Sequence, residues 1–194
     1  MTLSCCRVAA LFVLATGVAA NPYHDAVGSD DTNLLKRLIS SKAPGLDETG
    51  PGGQSPLMMA VLMGKDEAVK HLLAAGADTK VGEQDGYTPL HGAGFQGRAE
   101  IARMLVAHGL DPNEMHRDGY TPIHRACWGA EERHTDTVRV LLESGVSPSQ
   151  PTARKQLPVQ LTQNAATRKL LHEYLHADEP LPGGGERLIR KEEV

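Results

Sequence analysis

The chain has 194 residues, 40% of them hydrophobic and 23% charged, which is the composition of one medium-sized soluble domain and excludes a disordered or collagen-like chain. Its formal net charge is −4 at pH 7, and no basic stripe appears, so a nucleic-acid partner has no electrostatic support. Aromatic residues make up only 4%, too few for a core built on large rings but enough for stacked units of Ala, Leu and Gly.

In chain order, residues 1–20 come first. Arg7 precedes the apolar run from Val8 to Ala15, and small residues close the segment at Val18-Ala19-Ala20 before Asn21-Pro22. This layout reads as a signal peptide cut after Ala20. The stretch from Val8 to Ala20 falls well short of the roughly 20 residues a spanning helix needs, so no membrane span is expected. The other reading keeps the segment as an apolar N-terminal helix capping the domain. Under the first reading the chain works in the secretory lumen or outside the cell; under the second, in the cytoplasm. Cys5 and Cys6 lie within this segment, which leaves Cys127 as the lone thiol of the mature chain and no internal disulfide.

The next residues divide into units. Tyr23 to Val27 and Leu34 to Ile39 have the spacing of two short helices, followed by a Gly-rich link from Pro44 to Gln54. Then a heptapeptide appears twice. Asp85-Gly86-Tyr87-Thr88-Pro89-Leu90-His91 returns as Asp118-Gly119-Tyr120-Thr121-Pro122-Ile123-His124. A decayed copy, Ser55-Pro56-Leu57-Met58, precedes Thr88 by the same interval that separates Thr88 from Thr121. Equal intervals mean stacked copies of one structural unit. Asp-Gly is turn chemistry, Thr occupies a helix N-cap position, and Pro follows where its fixed φ suits the first helical residue. Each copy therefore predicts a turn, a short helix such as Leu90 to Gln96 ending near Gly97, and a second helix such as Ile101 to Val106 ending near Gly109. The unit after Thr121 holds three extra residues near Glu131-Glu132-Arg133-His134, read as a charged loop insertion between its helices. A last unit starts at Leu157-Pro158, lacks both Thr and His, and ends at Lys169 to Leu175 as a C-terminal cap. Residues 178–194 hold prolines, three consecutive glycines and a charged end, the pattern of a disordered tail.

The Thr-Pro-Leu-His helix start, within a turn, helix, helix unit of about 33 residues, resembles the ankyrin repeat. The resemblance implies an all-α solenoid of helix-turn-helix units joined by β-hairpin-like fingers. About four repeats and a partial C-terminal cap would fill residues 21–177, with units starting near 22, 55, 88, 121 and 157. It also gives Thr88, Pro89, His91, Thr121, Pro122 and His124 a structural task, each Thr hydroxyl bonding its His imidazole and the nearby backbone.

Two functional classes fit. Ankyrin proteins are similar in binding partners along their finger tips and the exposed face of the first helices. On this register that face holds Leu62, Met63, Gln84, Asp85, Tyr87, Phe95, Gln96, Met115, Arg117, Asp118, Tyr120 and Trp128. Aromatic, Met and Arg residues are the types enriched at interfaces. Tyr87 and Tyr120 are open to a second reading, as packing against the neighbouring finger. The expected function is a non-catalytic, monomeric protein-interaction module with an unidentified protein partner and no cofactor. The alternative is a small zinc hydrolase, because His172-Glu173-Tyr174-Leu175-His176 matches the H-E-x-x-H pattern that sets two imidazoles one helical turn apart. Against it, the match ends the last helix and a third ligand would have to come from the tail. Cys127 takes the small-residue slot that Gly94 fills one repeat earlier and reads as a packed core thiol.

Overall fold

The structure is a computed structural model and describes residues 21–176, apart from the Pro51 side chain; the expected signal peptide and tail lie outside the described residues. Ten α-helices fall into five antiparallel pairs: α1 (Pro22–Gly28) with α2 (Thr32–Ser40), α3 (Pro56–Met63) with α4 (Asp66–Ala74), α5 (Pro89–Gln96) with α6 (Ala99–Ala107), α7 (Pro122–Cys127) with α8 (Glu132–Glu143), and α9 (Pro158–Leu161) with α10 (Ala165–Leu175). First helices pack on first helices, α3 on α5, α5 on α7 and α7 on α9, while α4, α6, α8 and α10 form a second layer. Each pair touches chiefly its neighbours, so the core is a continuous seam: Leu57, Leu72, Leu90, Ile101, Leu105, Ile123, Leu141 and Leu171 are all fully buried along it.

The first helices start at Pro in every pair, and the residues at their N-termini are arranged in different ways. Ser55 caps conventionally, its Oγ accepting from the Met58 N–H at 3.1 Å and donating to the Val81 carbonyl at 2.8 Å. Thr88 and Thr121 take the N-cap position, but their hydroxyls turn to the imidazoles, Thr88 Oγ1 to His91 Nδ1 at 2.8 Å and Thr121 Oγ1 to His124 Nδ1 at 2.9 Å. In the second of these the capping is done by the ring, since His124 Nδ1 also accepts from the Thr121 N–H at 3.1 Å. In the last pair Gln160 Oε1 takes that role, accepting from the Leu157 N–H at 2.8 Å. The opposite ends of α3 and α5 close at Gly64 and Gly97, both left-handed, with φ of 70° and 67°.

Between pairs, no β-strand appears among the described residues. Each finger is instead a tight turn closed by two backbone hydrogen bonds, at Gly50 to Gln54, Glu83 to Tyr87, His116 to Tyr120 and Thr152 to Gln156.

Helix α5 is the thinnest element of the stack, and Gly92-Ala93-Gly94 is the reason. A Cβ on Gly94 would lie 2.5 Å from the Pro122 carbonyl oxygen of α7, a backbone atom with no freedom to retreat. Gly94→Ala gains about 1 kcal/mol of helix propensity, but it must push α5 off α7. The expected outcome is a net loss of stability in denaturant melts, whereas Gly109→Ala, with open space around its Cβ but φ of 102°, suffers only backbone strain.

The three extra residues of the fourth pair are not a solvated loop. They lengthen the second helix: α8 has 12 residues where α4 and α6 have nine. Glu131, Glu132 and Arg133 are exposed, but His134 is buried, packed between Gly97 and Gly129, and its Nε2 meets the Phe95 carbonyl at 3.2 Å. One repeat earlier the same position is Arg98, whose Nη2 donates to the Leu62 carbonyl at 3.3 Å. The carbonyl end of a first helix always needs a donor from the next pair, and the insertion keeps that donor in register.

Candidate protein-binding face

The face expected from the sequence consists of the finger turns and the ends of the first helices. Four large apolar side chains are exposed there: Met63 at the end of α3, Phe95 in the last turn of α5, Met115 ahead of its finger turn and Trp128 at the C-cap of α7. Phe95 and Trp128 occupy equivalent positions of consecutive repeats and are 50% and 42% exposed. Gln84, Asp85 and Arg117 are exposed at the turns, with Arg117 and Asp85 3.8 Å apart. Leu62 and Gln96 are half-buried, Leu62 lying over the space above Gly92.

Tyr87, Tyr120 and Asp118 have a different situation, because a residue absent from the expected face ties them together. Arg125 of α7 is buried at 7% exposure, and its guanidinium lies 4.6 Å from the Tyr87 ring centroid, 5.1 Å from Tyr120 and 4.4 Å from Trp128. Nη2 donates to the Tyr87 hydroxyl at 2.5 Å and pairs with Asp118 Oδ2. Tyr87 in turn donates to Asp118 Oδ2 at 2.7 Å, and Asp118 Oδ1 meets His116 Nδ1 at 2.9 Å and the Tyr120 N–H at 3.2 Å. His116 completes the bridge between fingers, its ring 3.9 Å from that of Tyr87 and its Nε2 donating to the Asp85 carbonyl at 2.9 Å.

The electrostatics follow from this wiring. Burial alone pushes the Asp118 pKa up, but the hydrogen bonds from Tyr87, His116 and the Tyr120 N–H, with the Arg125 charge, outweigh it and bring it down to about 2. Burial, then donation to Asp118, raises the Tyr87 phenol. The rings are therefore packed and also partly presented: Tyr120 meets Trp128 edge-to-face at 4.9 Å, which with Arg125 holds the indole in one orientation while its far side faces water.

The two motif histidines lie behind this face. His91 Nε2 reaches the Tyr120 carbonyl at 3.3 Å and His124 Nε2 the Gln150 carbonyl at 2.8 Å. A carbonyl only accepts, so Nε2 carries the proton and Nδ1 accepts from the Thr hydroxyl. Both rings are thus built to be neutral, and burial lowers both pKa values, that of His91 to about 4.

Two other sequence candidates sit elsewhere. Cys127 is fully buried, and burial pushes its thiol up to about 12, far from nucleophile chemistry. His172 and His176 stack in parallel at 6.3 Å over the end of α10. Among the described residues no three His, Cys, Asp or Glu side chains are grouped to hold a metal, so the H-E-x-x-H match has no third ligand there.

Arg125 had a signal in the sequence. It stands in the repeat slot that Gly92 holds one unit earlier, so a charge fills a place the preceding repeat leaves empty, and Asp118 lies close enough along the chain to pair with it. His134 had a weaker one, since only the true position of the insertion aligns it with Arg98.

Helix pairs that each cap and brace the next, with an apolar face left open across several pairs, define a solenoid of the interaction-module class. A family model of ankyrin repeats (3 copies) matches residues 23–116 and again 65–152, and the chain belongs to the ankyrin-repeat family. Ankyrin repeats are generally protein–protein interaction modules. A search of curated proteins finds no match. No described helix is long and apolar enough to cross a membrane.

Proposed function

We propose that this chain is a non-catalytic docking module that binds a protein partner, as a monomer, along a concave face formed by its finger turns and first helices. The observation that carries the reading is the repetition of a half-exposed aromatic ring at equivalent positions of consecutive repeats, Phe95 and Trp128, flanked by exposed Met63 and Met115. The indole, held by Tyr120 and Arg125, loses little side-chain freedom on binding, which is what makes an aromatic anchor effective. The sequence layout of residues 1–20 supports export, with the mature chain starting at Asn21 and the partner met in the secretory lumen or beyond it.

The test is a binding comparison with the Phe95→Ala/Trp128→Ala double variant. Each truncation is expected to cost about 2 kcal/mol or more of binding, roughly thirtyfold in affinity. The thermal midpoint should fall only modestly, because Phe95 is half exposed and Trp128, which gives up its contacts with Tyr120 and Arg125, keeps 42% of its surface in water. A partner captured from the source cells by the natural chain and equally by the double variant places the binding face elsewhere. Unfolding of the double variant makes these rings core.

A further inference from the structure

The charges around the apolar face are distributed unevenly. Helices α3, α5 and α9 carry no Asp, Glu, Lys or Arg, and the one charged residue of α7 is the buried Arg125. From α3 to α9 the floor of the face therefore carries no exposed charge, and α1 adds the exposed Asp25. The rim is charged. The links 42–54, 75–87 and 108–120 hold eight carboxylates against three cations, Lys42, Lys80 and Arg117. Link 144–157 reverses the sign, with exposed Arg154 and Lys155 and no carboxylate.

Structural duties do not cancel this rim charge. Asp47, Asp78 and Asp111 each accept from a backbone N–H, of Asp78, Lys80 and Asn113, and a carboxylate that caps a neutral N–H keeps its full charge. Of the eight, Asp118 alone is closely paired with a buried cation. Glu83 and Asp85 share one finger: burial chiefly raises the Glu83 pKa, the hydrogen bond from Gln54 opposes it, and repulsion from the charge of Asp85 adds a smaller upward push. A cation brought to this finger relieves that repulsion, and an anion adds to it.

Resting on the docking face described above, we infer that the partner segment is cationic and apolar together: a peptide stretch that lays aliphatic or aromatic side chains on Phe95 and Trp128 and directs Lys or Arg to the first three fingers. The basic fourth finger gives the segment a direction, since only its end near Arg154 tolerates an acidic residue. Acidic and uncharged segments are the excluded partners.

The experiment is selection of random dodecapeptides, displayed on phage, against the full chain, with counter-selection on the Phe95→Ala/Trp128→Ala variant. Retained peptides are then synthesised and titrated by fluorescence anisotropy at about 50 mM and about 300 mM salt. The expected result is a pool rich in Lys or Arg with apolar residues between. Binding should weaken about tenfold or more at the higher salt and in the Glu48→Gln/Asp85→Asn/Glu114→Gln variant, whose three changed side chains are exposed and leave the packing intact. A face-dependent pool that is acidic or uncharged overturns the partner chemistry and leaves the docking face standing. So does binding that shifts less than twofold in the triple variant. A selection that yields no peptide dependent on Phe95 or Trp128 overturns both.

Discussion

Replacing His91 by Ala lowers the stability of the stack by about 2 to 3 kcal/mol, because it leaves the Thr88 hydroxyl and the Tyr120 carbonyl without their partner in a buried site. For a chain of this size that is on the order of 5 to 10 °C in thermal midpoint. His91→Gln should recover part of the loss, since Gln160 already performs the N-terminal half of the task in the last pair. The same residue makes the fold sensitive to acid, and the sign is fixed by the direction of its shift. His91 has an ordinary pKa of 6.5 and a folded one of about 4, so the unfolded chain binds the proton more readily. Its contribution is fully present above pH 6.5, declines as pH falls toward 4, and amounts to about 3 kcal/mol in all. His124, lowered by the same cause, adds to it. Chemical melts from pH 7.5 to 4 measure this; an unchanged midpoint over that range would show that the rings are not held neutral, and equal melts for His91→Ala and the natural chain would remove their structural role.

Arg125→Ala is the second large effect. It removes the cation from three aromatic faces and leaves Asp118 and the Tyr87 hydroxyl facing each other without it. Breaking one side of a fully buried pair costs about 3 to 5 kcal/mol. The Asp118 side chain is 32% exposed, so water recovers part of this and about 2 to 3 kcal/mol is expected. Arg125→Lys does little better, because a point charge lacks the planar fork that both stacks and bonds. Trp128 is the single tryptophan of the chain, so its fluorescence reads the change directly: once unbacked, the indole should show red-shifted emission and lower anisotropy. Asp118 also gives a separate acid signature. Its folded pKa of about 2 lies below the ordinary 3.8, so its contribution holds above 3.8 and is lost as pH falls through 2. The Arg125 variants should weaken that low-pH step without abolishing it, because the hydrogen bonds from Tyr87, His116 and the Tyr120 N–H to Asp118 remain, and they should keep the His91 step. An Arg125→Ala variant with unaltered Trp fluorescence and stability would mean that the cluster does not form in solution.

The sequence by itself determined the repeat and its phase. A constant interval between copies, Pro at the start of each first helix and Gly at the ends of α3 and α5 are local requirements of dihedral angle and capping, and local requirements are written in the residues that meet them. The exposed positions of Phe95 and Trp128 followed from the same register. What only the tertiary structure decided lies between repeats. The period assigns Tyr87 and Arg125 to known slots, but does not say that a residue in one repeat reaches a side chain 38 positions away in the next. It likewise marks three extra residues without saying whether they make a loop or a longer helix; the need to bring His134 under the Phe95 carbonyl chose the helix. These outcomes are set by buried donors finding acceptors across an interface, a condition on neighbouring units jointly that no single unit states.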